Sequence, residues 1–80
     1  MTNYTRLHTC AALGEMAARR GEEFVPLLVG ADATWEQKRA CEWALIATMF
    51  EKQGDTERAA YCRGRLAELL RNEFVTPHAP

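Results

Sequence analysis

The chain lacks any apolar run long enough to span a membrane, and it carries no recognisable catalytic or cofactor motif. Its longest apolar stretch, residues 24–31, is interrupted by Pro26 and is far shorter than the roughly 20 residues that a transmembrane helix requires. A secretory signal is also not expected, because the sequence shows no cationic start followed by an apolar segment. We therefore expect a soluble cytoplasmic protein that is not an enzyme and needs no cofactor.

Cysteines are few and do not have the spacing of metal ligands. Cys10, Cys41 and Cys62 include no pair separated by two residues, and each lies among apolar residues at helical spacing. Structural zinc sites use two pairs of ligands that are close in sequence, whereas His8 and Cys10 make one weak pair. An odd number of cysteines fits thiols in a reducing compartment. We expect core thiols rather than a metal site or a nucleophile.

Neither sign of charge is in excess, because the formal net charge is −1. The overall balance therefore indicates neither nucleic acid nor a membrane surface as a partner. The signs nevertheless segregate: arginines concentrate in the first 21 and the last 23 residues, and acids lie between them. Solvated helix faces explain this pattern, and so does complementarity between helices or between two copies of the chain.

Strand signals are scarce, since β-branched residues are few and no segment alternates with a period of two. The sequence predicts an all-α fold, a small bundle of three main helices plus a short helical segment. The predicted helices cover residues 4–20, about 25–30, 34–53 and 56–72. We expect a single helical domain over residues 1–76 and a disordered tail at 77–80.

Local signals set the ends of these helices. Thr34 and Gln37 have the spacing of a capping box at the start of the third predicted helix. Gly21 ends the first helix, and Gly54 followed by Asp55 closes the third helix and caps the fourth. The sequence therefore predicts a tight corner between the last two helices.

The third predicted helix is apolar on nearly every side. Nine of the eleven residues from Ala40 to Phe50 are apolar, which is typical of a helix at the centre of its fold. Glu42 interrupts this run as a solvent-facing gap, an ion-pair partner of an arginine, or a specificity contact. We expect Leu45 and Met49 to lie on a side that the hairpin of the third and fourth predicted helices does not cover by itself.

Residues around the Gly54 corner resemble one tetratricopeptide (TPR) repeat. The Trp, Leu, Gly, Tyr, turn Gly and second-helix Ala of that family correspond to Trp43, Ile46, Ala47, Phe50, Gly54 and Ala59. Further along, Arg63 stands in place of an aromatic residue and Arg71 in place of the helix-ending proline. The resemblance implies a TPR-like helical hairpin at 34–72 and binding of a protein or peptide.

These patterns predict a non-enzymatic protein–protein interaction module, such as a small adaptor, chaperone or inhibitor. Its partner is another protein, a second copy of the chain in a homodimer, or both. The predicted contact residues are Trp35, Glu42, Leu45, Met49 and Arg65. For Trp35 there are two interpretations: a staple over the apolar cluster at residues 24–29, or an exposed anchor.

The alternative function is nucleic-acid binding by the fourth predicted helix. On this helix Arg58, Arg65 and Tyr61 could contact phosphate, with Trp35 stacking on a base. Glu57 and Glu68 on the same helix weaken this interpretation.

Overall fold

The structure, a computed structural model, describes residues 6–22 and 33–75. These residues form three α-helices: α1 (Leu7–Arg19), α2 (Trp35–Lys52) and α3 (Thr56–Val75). The all-α prediction is confirmed, and α2 and α3 correspond to the third and fourth predicted helices. The short helical segment predicted at about 25–30 and the tail predicted at 77–80 lie outside the described residues. No helix among the described residues has the length and apolar character needed to cross a membrane.

The outer ends of two helices differ from the prediction. α1 begins at Leu7 rather than at residue 4, because the backbone of Arg6 is extended (φ −73°, ψ 151°). α3 continues to Val75, three residues beyond the predicted end.

The start of α2 is fixed by the predicted capping box. The backbone N–H of Gln37 donates to Oγ1 of Thr34 at 3.1 Å, and the backbone N–H of Thr34 donates to Oε1 of Gln37 at 2.8 Å. Two amides that a helix start leaves without partners are thereby satisfied. The first turn of α2, including Trp35, is held in a defined position.

Two glycines end helices in the left-handed conformation, as predicted. Gly21 has φ +86° and Gly54 has φ +81°, values that are strained for residues with a side chain. After Gly54, the backbone N–H of Asp55 donates to the Phe50 carbonyl oxygen at 2.9 Å, the bond that defines a Schellman motif. Asp55 then caps α3 by accepting from the backbone N–H of Arg58 at 3.1 Å.

α2 lies at the centre of the described fold, as its apolar sequence predicts. α1 and α3 both pack along α2 and have few contacts with each other. α1 runs in the same direction as α2, because Gly14 lies against Cys41 and Ala18 lies further along, beside Met49. α3 runs back along α2 after the corner at residues 53–55.

The core consists mostly of small side chains, which allow the helices to come close. Its buried apolar residues are Cys10, Ala11, Ala17, Ala18, Ala40, Cys41, Ala44, Leu45, Ala47, Ala59, Cys62 and Leu66. Of these, Leu45 and Leu66 alone are larger than cysteine. A β-carbon on Gly14 would lie 2.9 Å from the carbonyl carbon of Cys41 and closer still to its oxygen. α1 and α2 are therefore in backbone contact at this point.

Arg63 joins all three helices on the side of α3 that faces α2. Its guanidinium donates to both carboxylate oxygens of Glu51, at 2.9 and 3.1 Å, and to Oγ1 of Thr48 at 3.4 Å. An ion pair at 3.8 Å connects it to Glu15 on α1. The hydrogen bond from Arg63 lowers the pKa of Glu51. The arginine that departs from the TPR pattern thus has a structural role here.

Candidate functional site

Exposed apolar side chains gather on one side of α2 and on the adjoining edge of α3. Trp35 is 68 % exposed, Tyr61 64 % and Ile46 37 %. The ring of Tyr61 stands edge-on to that of Trp43, with the ring centroids 6.2 Å apart. Single exposed apolar residues are ordinary on protein surfaces, whereas a contiguous group of them is typical of an interaction site.

Four residues of α2 form a straight row along this side, which we call the outer stripe: Trp35, Arg39, Glu42 and Ile46. Spacings of four, three and four residues place side chains on one face of a helix. The opposite side of α2 carries buried Gln37, Ala44 and Thr48. Among the described residues, α1 and α3 pack towards that opposite side and leave the outer stripe accessible.

Arg39 organises the middle of the outer stripe. Its guanidinium donates to Oε1 of Glu42 at 2.7 Å, and it lies 4.8 Å from the ring centroid of Trp43 and 5.9 Å from that of Trp35. Cation–π contacts of this kind are each worth about 0.5–1 kcal/mol at exposed sites. The ion pair predicted for Glu42 is present, and Arg39 is its partner.

A groove of about 210 Å³ runs beside the outer stripe, between α2 and α3. Its lining residues are Trp35, Arg39, Trp43, Arg65, Glu68 and Leu69. Arg65 forms an ion pair with Glu68 at 3.3 Å, so the charged groups at this edge neutralise each other locally. The groove therefore offers aromatic surface bordered by paired charges, an arrangement suited to a partner with both apolar and polar groups.

The structure brings together three of the five predicted contact residues. Trp35 and Arg65 line the same groove, and Glu42 joins them through its ion pair with Arg39. Leu45 and Met49 pack instead with Ala17 and Ala18 of α1. The predicted set thus divides between the groove and the contact of α2 with α1.

Leu45 and Ile46 are adjacent in sequence and have opposite environments. Leu45 is 4 % exposed and packs on Ala17 and Ala18, whereas Ile46 is 37 % exposed. Leu45 packs on α1 and not on the hairpin of α2 and α3, but its prediction as a contact residue for a partner is wrong, because the close contact at Gly14 brings α1 over it. Ile46, which the TPR pattern assigns to packing within the hairpin, faces outward instead.

This surface also includes four residues that were not among the five predicted contacts for a protein partner: Arg39, Trp43, Ile46 and Tyr61. A usable signal exists for two of them, since Arg39 and Ile46 follow Trp35 at intervals of four and eleven residues on one helix face. Nothing in the sequence pairs Tyr61 with Trp43. Their contact depends on how α3 lies against α2.

No protein-family model, curated protein or solved structure matches this chain. Assignment of a function therefore depends on the geometry of the chain itself.

A second cavity, of about 160 Å³, lies where α1 ends beside α2. Its lining residues are Ala18, Gly21, Glu22, Met49, Lys52 and Gln53. The amine of Lys52 donates to the backbone oxygen of Ala18 at 2.9 Å. This bond satisfies a carbonyl that the helix end leaves without a partner and places a positive charge at the negative end of α1. The geometry accounts for Lys52 as a structural contact between α1 and α2.

The cysteines have properties opposite to those of a nucleophile. Burial raises the pKa of Cys41 to about 11, with further contributions from Cys10 and Glu42. Burial also raises the pKa of Cys62, although Arg63 acts in the opposite direction. These thiols are therefore protonated near neutral pH, while nucleophilic cysteines require a lowered pKa. His8 is exposed and Cys10 fully buried, and no group of His, Cys, Asp or Glu in the described residues could hold a metal ion.

Proposed function

We propose that this chain is a non-enzymatic protein-interaction module, a small cytoplasmic adaptor, chaperone or inhibitor. It binds a partner protein through the outer stripe and the adjoining groove. The observation that carries this proposal is the exposure of Trp35, a large apolar side chain held 68 % open to solvent on a firmly capped helix turn. A tryptophan side chain has only two rotatable torsions, so it loses little conformational entropy when a partner covers it.

The composition of the surface supports a protein partner. Tryptophan, tyrosine and arginine are the residue types most enriched among residues that dominate binding energy at protein interfaces. The outer stripe and the groove contain Trp35 and Arg65, and Tyr61 lies beside them, edge-on to the groove residue Trp43. Apolar anchors on one helix face also suit packing against a helix of the partner.

The arrangement of the helices supports a TPR-like character. Successive TPR hairpins place their first helices side by side in the same direction, and α1 and α2 have this relation. α2 and α3 form a hairpin around the Gly54 corner. A hairpin unit of such a repeat buries one face against its neighbour, which is the role we propose for the outer stripe.

Nucleic-acid binding is the weaker alternative because three of the four arginines of α3 are already paired. Arg58 pairs with Asp55 at 3.5 Å, Arg63 with Glu51 at 2.9 Å, and Arg65 with Glu68 at 3.3 Å. A phosphate would have to displace a carboxylate from each of them. Steep loss of binding with rising salt is the signature that nucleic acid would produce.

We expect Trp35→Ala to weaken partner binding at least about 30-fold, the equivalent of a 2 kcal/mol contact at a binding hot spot. Its effect on the free energy of unfolding should stay below about 1 kcal/mol, since the side chain is mostly exposed. The partner is first captured from an extract of the native host on the immobilised wild-type protein and identified by mass spectrometry. Its affinity for both forms is then measured by titration.

The matched control is Met16→Ala, which removes a 50 % exposed apolar side chain from α1. This variant should bind the captured partner as the wild-type protein does. The proposal would be contradicted if both variants lost the same amount of affinity for the partner. It would also be contradicted if the captured species were nucleic acid and bound with a steep salt dependence.

A further inference from the structure

The outer stripe has a self-complementary order of side chains. From the start of α2 it presents an apolar residue, a base, an acid and an apolar residue: Trp35, Arg39, Glu42 and Ile46. Read in the opposite direction, the same row presents apolar, acidic, basic and apolar side chains. Two such rows in antiparallel orientation therefore place apolar against apolar and base against acid.

We propose that the outer stripe of α2 binds the same stripe of a second copy of this chain, antiparallel, about a twofold axis that passes between residues 40 and 41. Under this symmetry, facing residue numbers sum to 81. Trp35 then lies opposite Ile46 of the second copy, and Arg39 lies opposite Glu42 of the second copy. Isologous contacts of this kind, in which each patch meets itself, are the commonest in soluble homo-oligomers. This proposal rests on the function proposed above and specifies the partner.

Charge selects the antiparallel orientation. Within one chain Arg39 and Glu42 are already joined at 2.7 Å, and each side chain is only about one-third exposed (35 % and 39 %). Antiparallel pairing adds the same contact across the axis, so that bases and acids alternate in a ring of four. Parallel pairing in register would place Arg39 against Arg39 and Glu42 against Glu42. Like charges in direct opposition disfavour an interface.

Apolar side chains also face each other at both ends of the two paired stripes. The most exposed large apolar side chain of α2, Trp35, meets Ile46 of the second copy, and the same contact recurs at the symmetry-related end. The overlapping segments, residues 35–46, are about 18 Å long at 1.5 Å per residue. The pairing thus covers the two apolar side chains of the outer stripe and leaves no charge in it unpaired.

The small size of the core also favours a second copy of the chain as the partner that covers the outer stripe. Most of the buried apolar side chains in the described residues are alanine or cysteine, and two are leucine. Domains of this size commonly gain stability from oligomerisation because a single core supplies little. Pairing of two outer stripes adds an apolar contact between Trp35 and Ile46 on each side of the twofold axis.

The test is sedimentation equilibrium over a concentration series for four samples: wild type, Arg39→Glu, Glu42→Lys, and an equimolar mixture of the two variants. Each variant alone places four like charges at the axis, so its dimer dissociation constant should rise at least tenfold. The mixture restores base against acid at every contact and should recover an affinity within a few-fold of wild type. Recovery in the mixture also demonstrates that both variants are folded.

The matched controls are Arg20→Glu and Glu57→Lys, which change the net charge by the same amounts near the far end of α2; both should dimerise as wild type does. Dimers unaffected by Arg39→Glu and Glu42→Lys would overturn the proposed interface. If circular dichroism shows both variants to be helical and their mixture stays monomeric, the antiparallel pairing would be overturned. A wild type that is monomeric throughout would overturn the second copy as occupant. In that case, capture of another protein that depends on Trp35 would still support the proposed function, and its absence would remove that function as well.

Discussion

Replacing Gly14 with alanine should lower the free energy of unfolding by about 3 kcal/mol or more, the upper end of the usual cost of overpacking a core, although alanine is the better helix former. The new methyl group would clash with the Cys41 backbone, because it would lie 2.9 Å from the carbonyl carbon and closer still to the oxygen. A backbone carbonyl cannot rotate away as a side chain can. α1 would therefore have to move away from α2 along its whole contact, including Ala17 and Ala18.

The expected loss is comparable with the total stability that a core of this size supplies, roughly 3–5 kcal/mol. Thermal unfolding followed by circular dichroism measures it. The buried thiols give a second readout, because Cys10 and Cys41 are fully buried and should react with an alkylating reagent only after α1 has separated from α2.

Gly64→Ala is the matched control for this prediction. Gly64 also lies in the interior of a helix, but a β-carbon there has no atom within 4 Å. The same chemical change should therefore stabilise the protein by about 0.5–1 kcal/mol through helix propensity alone. If both variants were stabilised, the backbone contact between α1 and α2 would be wrong.

Leu45→Ala has the second largest expected effect, a loss of about 2–5 kcal/mol in the free energy of unfolding. Leu45 is 4 % exposed and fills the space above Ala17 and Ala18. Those neighbours are too small to fill the cavity that the substitution leaves, so the cost should lie well above that of an exposed substitution. Urea denaturation with a constant m-value measures the change.

The neighbouring position supplies the control. Ile46 is 37 % exposed, and Ile46→Ala should lower the free energy of unfolding by less than about 1 kcal/mol while weakening self-association. A large loss of stability from Ile46→Ala with little from Leu45→Ala would mean that α2 is rotated relative to the described fold.

The features that the sequence predicted well are those encoded within a few residues. The bonds between Thr34 and Gln37, the left-handed Gly54 and the Asp55 cap each depend on side chains and backbone groups close in sequence. The central place of α2 also follows locally, because a helix apolar on most sides must be covered on most sides.

Which apolar residues face outward could not be predicted in the same way. Leu45 and Ile46 differ by 100° around α2, and their exposure depends on where α1 lies. That position is set by Gly14, more than thirty residues earlier in the chain, and helix propensity or capping carries no information about it. The same limit applies to Arg63, whose partners Glu51 and Glu15 lie on two other helices.

The most direct test of the outer stripe as a docking face for a second copy is disulfide trapping in a mixture of Trp35→Cys and Ile46→Cys chains. The native cysteines are buried, and one of the two Trp35–Ile46 contacts stays intact in each mixed dimer. With a small-molecule disulfide as oxidant, mass spectrometry should show mixed dimers in large excess over dimers of either variant alone. If each variant instead formed disulfide-linked dimers with itself and not with the other variant, that result would contradict the antiparallel interface.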